Sequence, residues 1–549
     1  MAGWFKDFDP LKGAKIFDIG SPVTPGGGWK TGTAIGQAIQ RTMANSRERR
    51  RAEAEREAEQ QRQDELLKNP PPLHGSAQWA TVGELGRAGR LRPMSQFDSP
   101  SSLLLGAMPD APDSDRMAGH LHWDGEGHLL TVAPTRSGKS TTTIIPNLLR
   151  YRGSCVVLDP KGELYEQTAG WRAANVGPVY RIAPFAAATD AFNPLMTMQR
   201  ASDARELAEL IIPDDPHASE FFKRDGVAFL AGLIWFTATT APAPYCNLAE
   251  VRNITASPLP AFRAVLEEMA QSRDPAIRNP AQIALSKDQD KAVRTLRDTL
   301  AGHLSFLDEA GIARASAVSD VDFRTLKDRP ATVYVSIPFN KMSAYADFLK
   351  ILLTTALEAM IENERVPDIP VLFILDEFLS LKSFPKFRDA IRTHAGAGVR
   401  LWFFLQDLPT LEEYYPTSWK AFFHASVKQF FGTNDGFTGR QISEWLGDTT
   451  VAYQTSSLSS NSSTSTGPVF GRDGNRGSSV NQSIAFTGRP LLTPDEAVHL
   501  LSGTLPDQTR HGLTFISGVN PIRNRLVPWF LGKELPRRAG SKSPTPAKG

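Results

Sequence analysis

The chain has 549 residues, of which 41% are hydrophobic and 22% are charged, and its formal net charge is +2 at pH 7. These values are typical of a globular protein with room for two or more domains, and the charge is too small to indicate nucleic-acid binding by itself. Cys155 and Cys246 are far apart in the sequence, which excludes a disulfide framework and favours a reducing compartment. The apolar run at 227–239 is too short to span a bilayer and predicts a buried helix.

The first 73 residues predict an N-terminal arm, 1–73, that is flexible and carries a charged helix. Residues 1–34 are punctuated by Gly and Pro, whereas about 34–68 are helical in character, with Arg and Glu in short alternating blocks. Such blocks allow ion pairs on a solvated helix but provide few apolar positions for a coiled-coil seam. A solvated or partly disordered arm and a partner-binding helix are both compatible with this pattern. The proline run at 70–72 ends the segment.

From residue 74 onwards, strand patterns alternate with helix patterns. This alternation is typical of parallel crossover units, so the predicted fold class is α/β, with a mainly parallel sheet flanked by helices. Residues 74–199 and 321–535 are the two predicted parts of this domain. Between them, 200–320 is dominated by helical patterns and predicts an inserted all-α domain.

Two segments near the C-terminus have the composition of irregular structure. Residues 454–485 are rich in Ser, Asn, Gly and Thr, which is typical of a flexible loop or linker. Residues 536–549 are basic and predict a disordered tail.

A short strand, a tight loop and a helix follow one another in 128–149. The loop approaches the phosphate-binding pattern G-x-x-x-x-G-K-[ST], with Ala133 in place of the first glycine and with Gly138, Lys139 and Ser140 retained. In such a loop, backbone N–H groups converge on phosphate, the lysine reaches the terminal phosphates and the serine hydroxyl binds Mg²⁺. The predicted nucleotide contacts are Ala133, Pro134, Thr135, Arg136, Ser137, Gly138, Lys139, Ser140 and Thr141.

Two carboxylates follow a second apolar strand. The run 371–375 delivers Asp376 and Glu377 at its carboxyl end, where open parallel sheets bind their ligands. We predict that Asp376 holds Mg²⁺ and that Glu377 polarises the attacking water. The alternative is an acidic pair that only caps the following helix.

Two further polar residues end neighbouring strands. Gln406 follows the strand 399–405, and we predict that its side chain senses the γ-phosphate or orients water. The alternative is a surface amide. Asp159 ends the strand at 154–160 and is a candidate for the metal shell. A purely structural cap fits Asp159 nearly as well.

Eight blocks of sequence occur in a fixed order along the chain. They are HGSAQWATVGEL (74–85), APTRSGKS (133–140), IIPNLL (144–149), VVLDPKGELYEQTAGWR (156–172), FNPL (192–195), LDEFLSL (375–381), FGTND (431–435) and RPLLTPDE (489–496). The set resembles the VirD4/TraG-type coupling proteins of bacterial type IV secretion systems. The resemblance covers about residues 74–530, and the ordered set is far more specific than any single block.

The resemblance implies a RecA-like nucleotide-binding domain interrupted by an all-α domain, and a hexameric ring with ATP at the subunit interfaces. It also implies a motor or receptor that recruits single- or double-stranded DNA, a relaxase–DNA complex or protein effectors to the inner-membrane components of the secretion channel. The resemblance also implies that the chain binds ATP and Mg²⁺. By motif matching, it assigns the family's ATPase roles to Lys139, Ser140, Asp376, Glu377 and Gln406.

The sequence departs from the family pattern in two places. Many members carry two N-terminal transmembrane helices, whereas this chain has the charged segment at 34–68. We therefore expect a protein of the bacterial cytoplasm that reaches the inner membrane through a partner.

The second departure concerns an arginine that the family often places just before the strand ending in the sensor glutamine, where it acts on the neighbouring subunit's γ-phosphate. Ala395 occupies that position here. Arg392 is the first candidate for the role, with Arg400 and Arg440 as alternatives, and each is also compatible with an ordinary surface arginine.

Two other functions are compatible with the sequence. One is a soluble DNA-pumping ATPase of the FtsK/HerA-like class, although the HGSAQWAT and RPLLTPDE blocks argue against it. The other is a substrate receptor that uses ATP as a slow switch.

Overall fold

The computed structural model describes residues 29–96, 98–111, 114–212, 220–286, 290–462 and 476–540. By its internal contacts the chain forms two units, Met1–Leu73 with Thr450–Thr487, and His74–Thr449 with Gly488–Gly549. The strands are β1 (Leu91–Arg92), β2 (Leu103–Pro109), β3 (Met117–Trp123), β4 (Leu129–Val132), β5 (Cys155–Leu158), β6 (Val179–Ile182), β7 (Thr332–Val335), β8 (Val371–Asp376), β9 (Val399–Leu405), β10 (Val427–Phe430), β11 (Asp448–Ser462), β12 (Arg476–Pro490), β13 (Arg510–Ile516) and β14 (Ile522–Leu526).

The helices begin and end as follows. They are α1 (Trp29–Lys68), α2 (Val82–Arg87), α3 (Ile145–Leu148), α4 (Glu163–Asn175), α5 (Ala201–Ile211), α6 (Glu220–Thr240), α7 (Leu248–Ala256), α8 (Leu259–Ala270), α9 (Pro275–Ser286), α10 (Asp290–His303), α11 (Ala310–Ala315), α12 (Phe339–Met342), α13 (Ala346–Glu362), α14 (Pro385–Thr393), α15 (Leu408–Tyr414), α16 (Gly436–Leu446), α17 (Pro494–Ser502) and α18 (Glu534–Ala539). A widened π-helical turn, Lys139–Ile144, leads directly into α3.

One large sheet organises the second unit. Its strand order is β1-β3-β2-β14-β13-β10-β4-β9-β8-β5-β7-β6. The strands from β10 to β6 in this order pair in parallel, and β13, β14, β2, β3 and β1 extend the sheet in antiparallel fashion. The predicted α/β fold with a mainly parallel sheet is therefore confirmed.

The central strands are apolar along their whole length because helices cover both faces of the sheet. Successive side chains of a strand point to opposite faces. Accordingly, Phe373 and Leu375 of β8 belong to the core on one face, and Leu372 and Ile374 belong to the core on the other. Fully buried parallel strands read as continuous apolar runs, which is why the sequence at 371–375 predicts β8 correctly.

The segment from α5 to α11 contains only helices in its described residues. The apolar run at 227–239 lies in α6, where Leu230, Leu233 and Ile234 are fully buried, as the prediction of a core helix requires. These side chains share one hydrophobic core with Phe373 of the sheet, so the helical segment packs directly on the nucleotide-binding domain. The domain boundaries at 199/200 and 320/321 stay predictions. In the described part of the chain, no helix combines the length and apolarity needed to cross a membrane.

The first unit contains the charged helix and a pair of strands. The predicted helix is present and forms a single element from Trp29 to Lys68. The prediction of a flexible loop at 454–485 is wrong at 454–462 and 476–485, because β11 and β12 pair there in a two-stranded sheet. Thr and Ser on both faces suit an exposed two-stranded ribbon as well as a linker, so composition cannot separate the two. The remainder of that prediction, 463–475, lies outside the described residues.

The prediction of a disordered tail from residue 536 is also wrong for the first residues of that tail. Residues 534–539 form α18, in which Arg538 binds both carboxylate oxygens of Asp98 at 2.9 and 2.7 Å and donates to the carbonyl of Leu149 at 2.9 Å. One specifically paired arginine anchors the helix, and a count of basic residues does not reveal such pairing. Residues 541–549 lie outside the described residues.

Candidate nucleotide-binding site

The phosphate-binding loop leaves the sheet between two parallel neighbours. Strand β4 lies between β9 and β10, and the N–H of Ala133 donates to the carbonyl of Leu405 at 2.8 Å. The methyl group of Ala133 is fully buried in a small cluster with Phe431 and Leu526. The alanine at the first glycine position is therefore accommodated in an apolar pocket.

The rest of the loop turns sharply and opens a helix. Arg136 and Gly138 have positive φ values of 64° and 92°, and Ser137 closes the turn by donating from Oγ to the carbonyl of Pro134 at 2.6 Å. Lys139 begins the helical turn, whose free N–H groups form a favourable position for anions. Among the predicted contacts, Thr135 and Arg136 are exposed, and Ser140 and Thr141 are half-buried.

The structure brings four predicted residues from three parts of the chain together. Lys139 Nζ donates to Glu377 Oε1 at 2.8 Å and lies 3.8 Å from Asp376 Oδ1. Gln406 Nε2 donates to the second carboxylate oxygen, Glu377 Oε2, at 2.9 Å. This convergence follows from the strand order β4-β9-β8, because the carboxyl ends of parallel strands meet at one edge of the sheet.

Asp376 has the surroundings expected of a magnesium ligand. Burial raises the pKa of its carboxyl group to about 6, with Lys139 opposing the shift. Its Oδ1 atom is buried and accepts no hydrogen bond within the described residues. A buried carboxylate oxygen without a donor suits a hard cation, so Asp376 fits the predicted role of a Mg²⁺ ligand, and the Ser140 hydroxyl stays the predicted second ligand.

Asp159 is placed differently. Its carboxylate accepts the N–H of Tyr165 at 2.9 Å, and further bonds from the N–H groups of Leu164 and Gly162 partly offset the burial that raises its pKa to about 6. These bonds fix the start of α4 and correspond to the structural-cap interpretation of Asp159. Its charge also raises the pKa of Asp376. A role of Asp159 in the metal shell stays a prediction.

The three candidate arginines occupy very different positions. Arg400 is buried at the beginning of β9, where its guanidinium donates to the carbonyls of Ser101 and Asp124 at 2.6 and 2.8 Å. Because its guanidinium is buried and held by carbonyl groups of its own subunit, Arg400 is poorly placed to reach a neighbouring subunit's nucleotide. Arg392 is exposed at the end of α14, and Arg440 is exposed on α16.

Sequence reasoning missed an open cleft beside the carboxylates. Glu377 and Gln406 line a cavity of about 310 Å³ together with Phe339, Lys382 and Tyr414. The last residues of β9, Phe404 and Leu405, also line this cleft. Of these residues, Glu377 and Lys382 have positive φ values of 58° and 57°, and the sequence does not reveal either value.

Residues 100–548 match the protein family described as type IV secretory system conjugative DNA transfer. The chain belongs to this family. Its predicted recognition as a VirD4/TraG-type protein is thereby confirmed.

Relatives of the family cover most of the chain. It is 27% identical over 480 residues to VirD4 of Agrobacterium fabrum (strain C58 / ATCC 33970), covering 84% of this chain and 67% of that protein. It is 26% identical over 472 residues to the conjugal transfer protein TraG of Escherichia coli, covering 78% of this chain and 71% of that protein. This chain spans about two thirds of the length of the VirD4 relatives that it matches.

Solved structures of a plasmid coupling protein, TrwB, share the fold. The complex of TrwB with the non-hydrolysable ATP analogue ADPNP has a TM-score of 0.59 at 15% identity and covers 88% of this chain and 98% of that chain. The complex of TrwB with ADP and Mg²⁺ has a TM-score of 0.56 at 15% identity and covers 86% and 96%. At 15% identity, the similarity to TrwB establishes the fold of this chain.

Proposed function

We propose that this chain is an ATP-hydrolysing coupling protein that drives transfer of a DNA or protein substrate into a type IV secretion channel. The observation that carries the ATPase assignment is the convergence of Lys139, Glu377 and Gln406 beside a phosphate-binding loop. Family membership and the names of the VirD4 and TraG relatives support the transfer role.

Lys139 changes partner when ATP enters the site. In the structure, its ammonium group forms an ion pair with Glu377 at 2.8 Å. The β- and γ-phosphates of ATP compete for the same ammonium, because phosphate oxygens and carboxylate oxygens attract it in the same way. Loss of this pair frees one Glu377 oxygen to take a proton from the attacking water, while Gln406 continues to hold the other oxygen and fixes the orientation of the carboxylate.

Asp376 and Ser140 are the residues that would hold Mg²⁺ in this mechanism. When bound, the ion supplies charge neutralisation on the phosphates. An ionised Asp376 next to Lys139 supports this role, because the positive charge of the lysine opposes the effect of burial on the carboxyl pKa.

The assembly and partners follow from the same proposal. We infer a homo-oligomer, in the form of a hexameric ring, that takes single- or double-stranded DNA, a relaxase–DNA complex or protein effectors. The ring delivers them to inner-membrane components of the channel, and one of these components holds the protein at the membrane. The exposed positions of Arg392 and Arg440 support a site that a neighbouring subunit completes.

DNA-stimulated ATP hydrolysis tests the proposal. We expect hydrolysis by the purified chain to rise with added DNA, and Lys139→Ala to lower kcat by at least about a hundredfold, since it removes the charge that binds the terminal phosphates. The exposed Lys533→Ala serves as the control and should retain wild-type activity. If ATP is bound but DNA leaves the rate unchanged and no ring forms, the motor is excluded and the slow-switch receptor is favoured.

A further inference from the structure

The FGTND block, 431–435, has no part in the mechanism above, yet it lies beside the phosphate-binding loop. Strand β10 pairs in parallel with β4, with Phe430 opposite Val132. Both strands therefore end at the same edge of the sheet. The FGTND residues leave β10 where the phosphate-binding loop leaves β4, and the N–H of Phe431 donates to the carbonyl of Val132 at 3.3 Å.

Gly432 contacts the phosphate-binding loop at Ser137. Its φ is +69°, and a Cβ atom at this position would collide with the Cβ of Ser137 and would lie 3.4 Å from its Cα. Ser137 cannot easily give way, because it is buried and its Oγ holds the carbonyl of Pro134 at 2.6 Å. The absence of a side chain at residue 432 thus allows the two backbones to approach closely.

Gly432 is also held by a backbone hydrogen bond to a second element. Its N–H donates to the carbonyl of Leu501 at 2.9 Å, at the end of α17. Phe431 is buried against Ala133, and Asp435 caps α16 by accepting the N–H of Thr438 at 2.7 Å. With both flanks anchored, the loop cannot easily retreat from a larger residue, so a side chain at residue 432 would strain the phosphate-binding loop at Ser137.

We propose that Gly432 is a positioning residue of the nucleotide site: it sets the place of Ser137 and hence the alignment of the neighbouring backbone N–H groups with the phosphates of a nucleoside triphosphate. The inference rests on the proposed function, because it needs an ATP site at 133–140. It assigns a role to the FGTND block, which the mechanism leaves without one. The block acts on nucleotide affinity through the phosphate-binding loop.

Gly432→Ala tests this inference by equilibrium binding of a fluorescent ATP analogue, measured where every variant is folded. We expect Kd to rise about tenfold or more, the loss expected when one charge-assisted hydrogen bond to phosphate is misaligned. Gly436→Ala is the matched control. Gly436 lies four residues further on, and a Cβ atom there would meet no atom within 4 Å. The Kd of Gly436→Ala should therefore equal that of the wild type.

A second variant separates positioning from simple destabilisation. Ser137→Gly removes the Cβ with which the new methyl group collides, so adding it to Gly432→Ala should return Kd to that of Ser137→Gly alone. The double variant keeps an alanine at positive φ and should keep a lowered thermal midpoint. Equal Kd for Gly432→Ala and the wild type, or no recovery in the double variant, overturns the inference. Absence of ATP binding by the wild type would instead refute the proposed function.

Discussion

Glu377 receives hydrogen bonds on both of its carboxylate oxygens, from Lys139 at 2.8 Å and from Gln406 at 2.9 Å. Its backbone has a φ of 58°, a conformation that costs a non-glycine residue about 1–2 kcal/mol. Arg136 and Lys382, which lie on the loop and the cleft, share this feature. Strain of this kind persists where surrounding contacts hold a residue in place, and here it turns the carboxylate towards the phosphate-binding loop.

Gln406→Ala should lower kcat for ATP hydrolysis by about 10–100-fold with little change in KM. The physical reason is that the amide holds Glu377, not the ground-state nucleotide, so its loss misorients the base in the reacting complex. Steady-state kinetics with saturating Mg²⁺ measures the two constants. Gln63→Ala is the control, since Gln63 donates to Glu59 on the exposed helix α1. A rise in KM at unchanged kcat would assign Gln406 to nucleotide binding instead.

At the scale of elements, the site depends on the pairing of two strands. Strand β4 has only four residues, and its pairing with β9 is supplemented by His128, the residue before it. The N–H of Leu401 donates to His128 Nδ1 at 3.0 Å, which requires a neutral ring with an unprotonated Nδ1. Burial, with a smaller effect from His394, lowers the pKa of His128 to about 4.

This buried histidine predicts a loss of stability in mild acid. Because the folded pKa is about 4 and the unfolded value is 6.5, the unfolded chain binds more protons, and stability falls as pH decreases below 6.5. From pH 7 to pH 5 we expect His128 to account for about 1–2 kcal/mol of the decrease. The contribution is measured as the difference between the wild type and His128→Asn in how far the free energy of unfolding, from urea denaturation, falls between the two pH values.

The controls for this prediction are two asparagine variants. His128→Asn keeps an acceptor for the N–H of Leu401 and should show a shallower decrease between pH 7 and pH 5. His424→Asn, at an exposed histidine, should keep the wild-type pH dependence. Equal slopes for the wild type and His128→Asn would show that His128 does not titrate on unfolding.

At the scale of the molecule, the sequence was informative wherever chemistry and burial leave a local pattern. Apolar runs predicted β8 and β9, and the residues that end them, Asp376, Glu377 and Gln406, lie together as expected. Composition failed at the described ends of 454–485 and at 536–540, because pairing of one strand with another, or of Arg538 with Asp98, depends on partners distant in sequence. The contact of Gly432 with Ser137 was equally invisible, since it requires the strand order.

Completion of the site by a neighbouring subunit is the prediction that concerns the whole assembly. Arg392 lies in the last turn of α14, before β9 begins, whereas Gln406 follows the other end of β9, a strand about 20 Å long. This placement disfavours action on the phosphates beside Gln406 of the same subunit, so we predict that Arg392 acts on a neighbour. Arg392→Ala should lower kcat by about a thousandfold or more, the effect typical of an arginine finger.

Mixing two inactive variants distinguishes action between subunits from action within one. Arg392→Ala subunits keep Lys139, and Lys139→Ala subunits keep Arg392. In rings assembled at equal ratio, about a quarter of the interfaces combine both intact residues, so activity should recover towards about a quarter of the wild-type rate. The same mixture with Arg440→Ala tests the other exposed arginine. Full activity of Arg392→Ala by itself would remove Arg392 from the mechanism, and a reduced rate without recovery on mixing would exclude action on the neighbour.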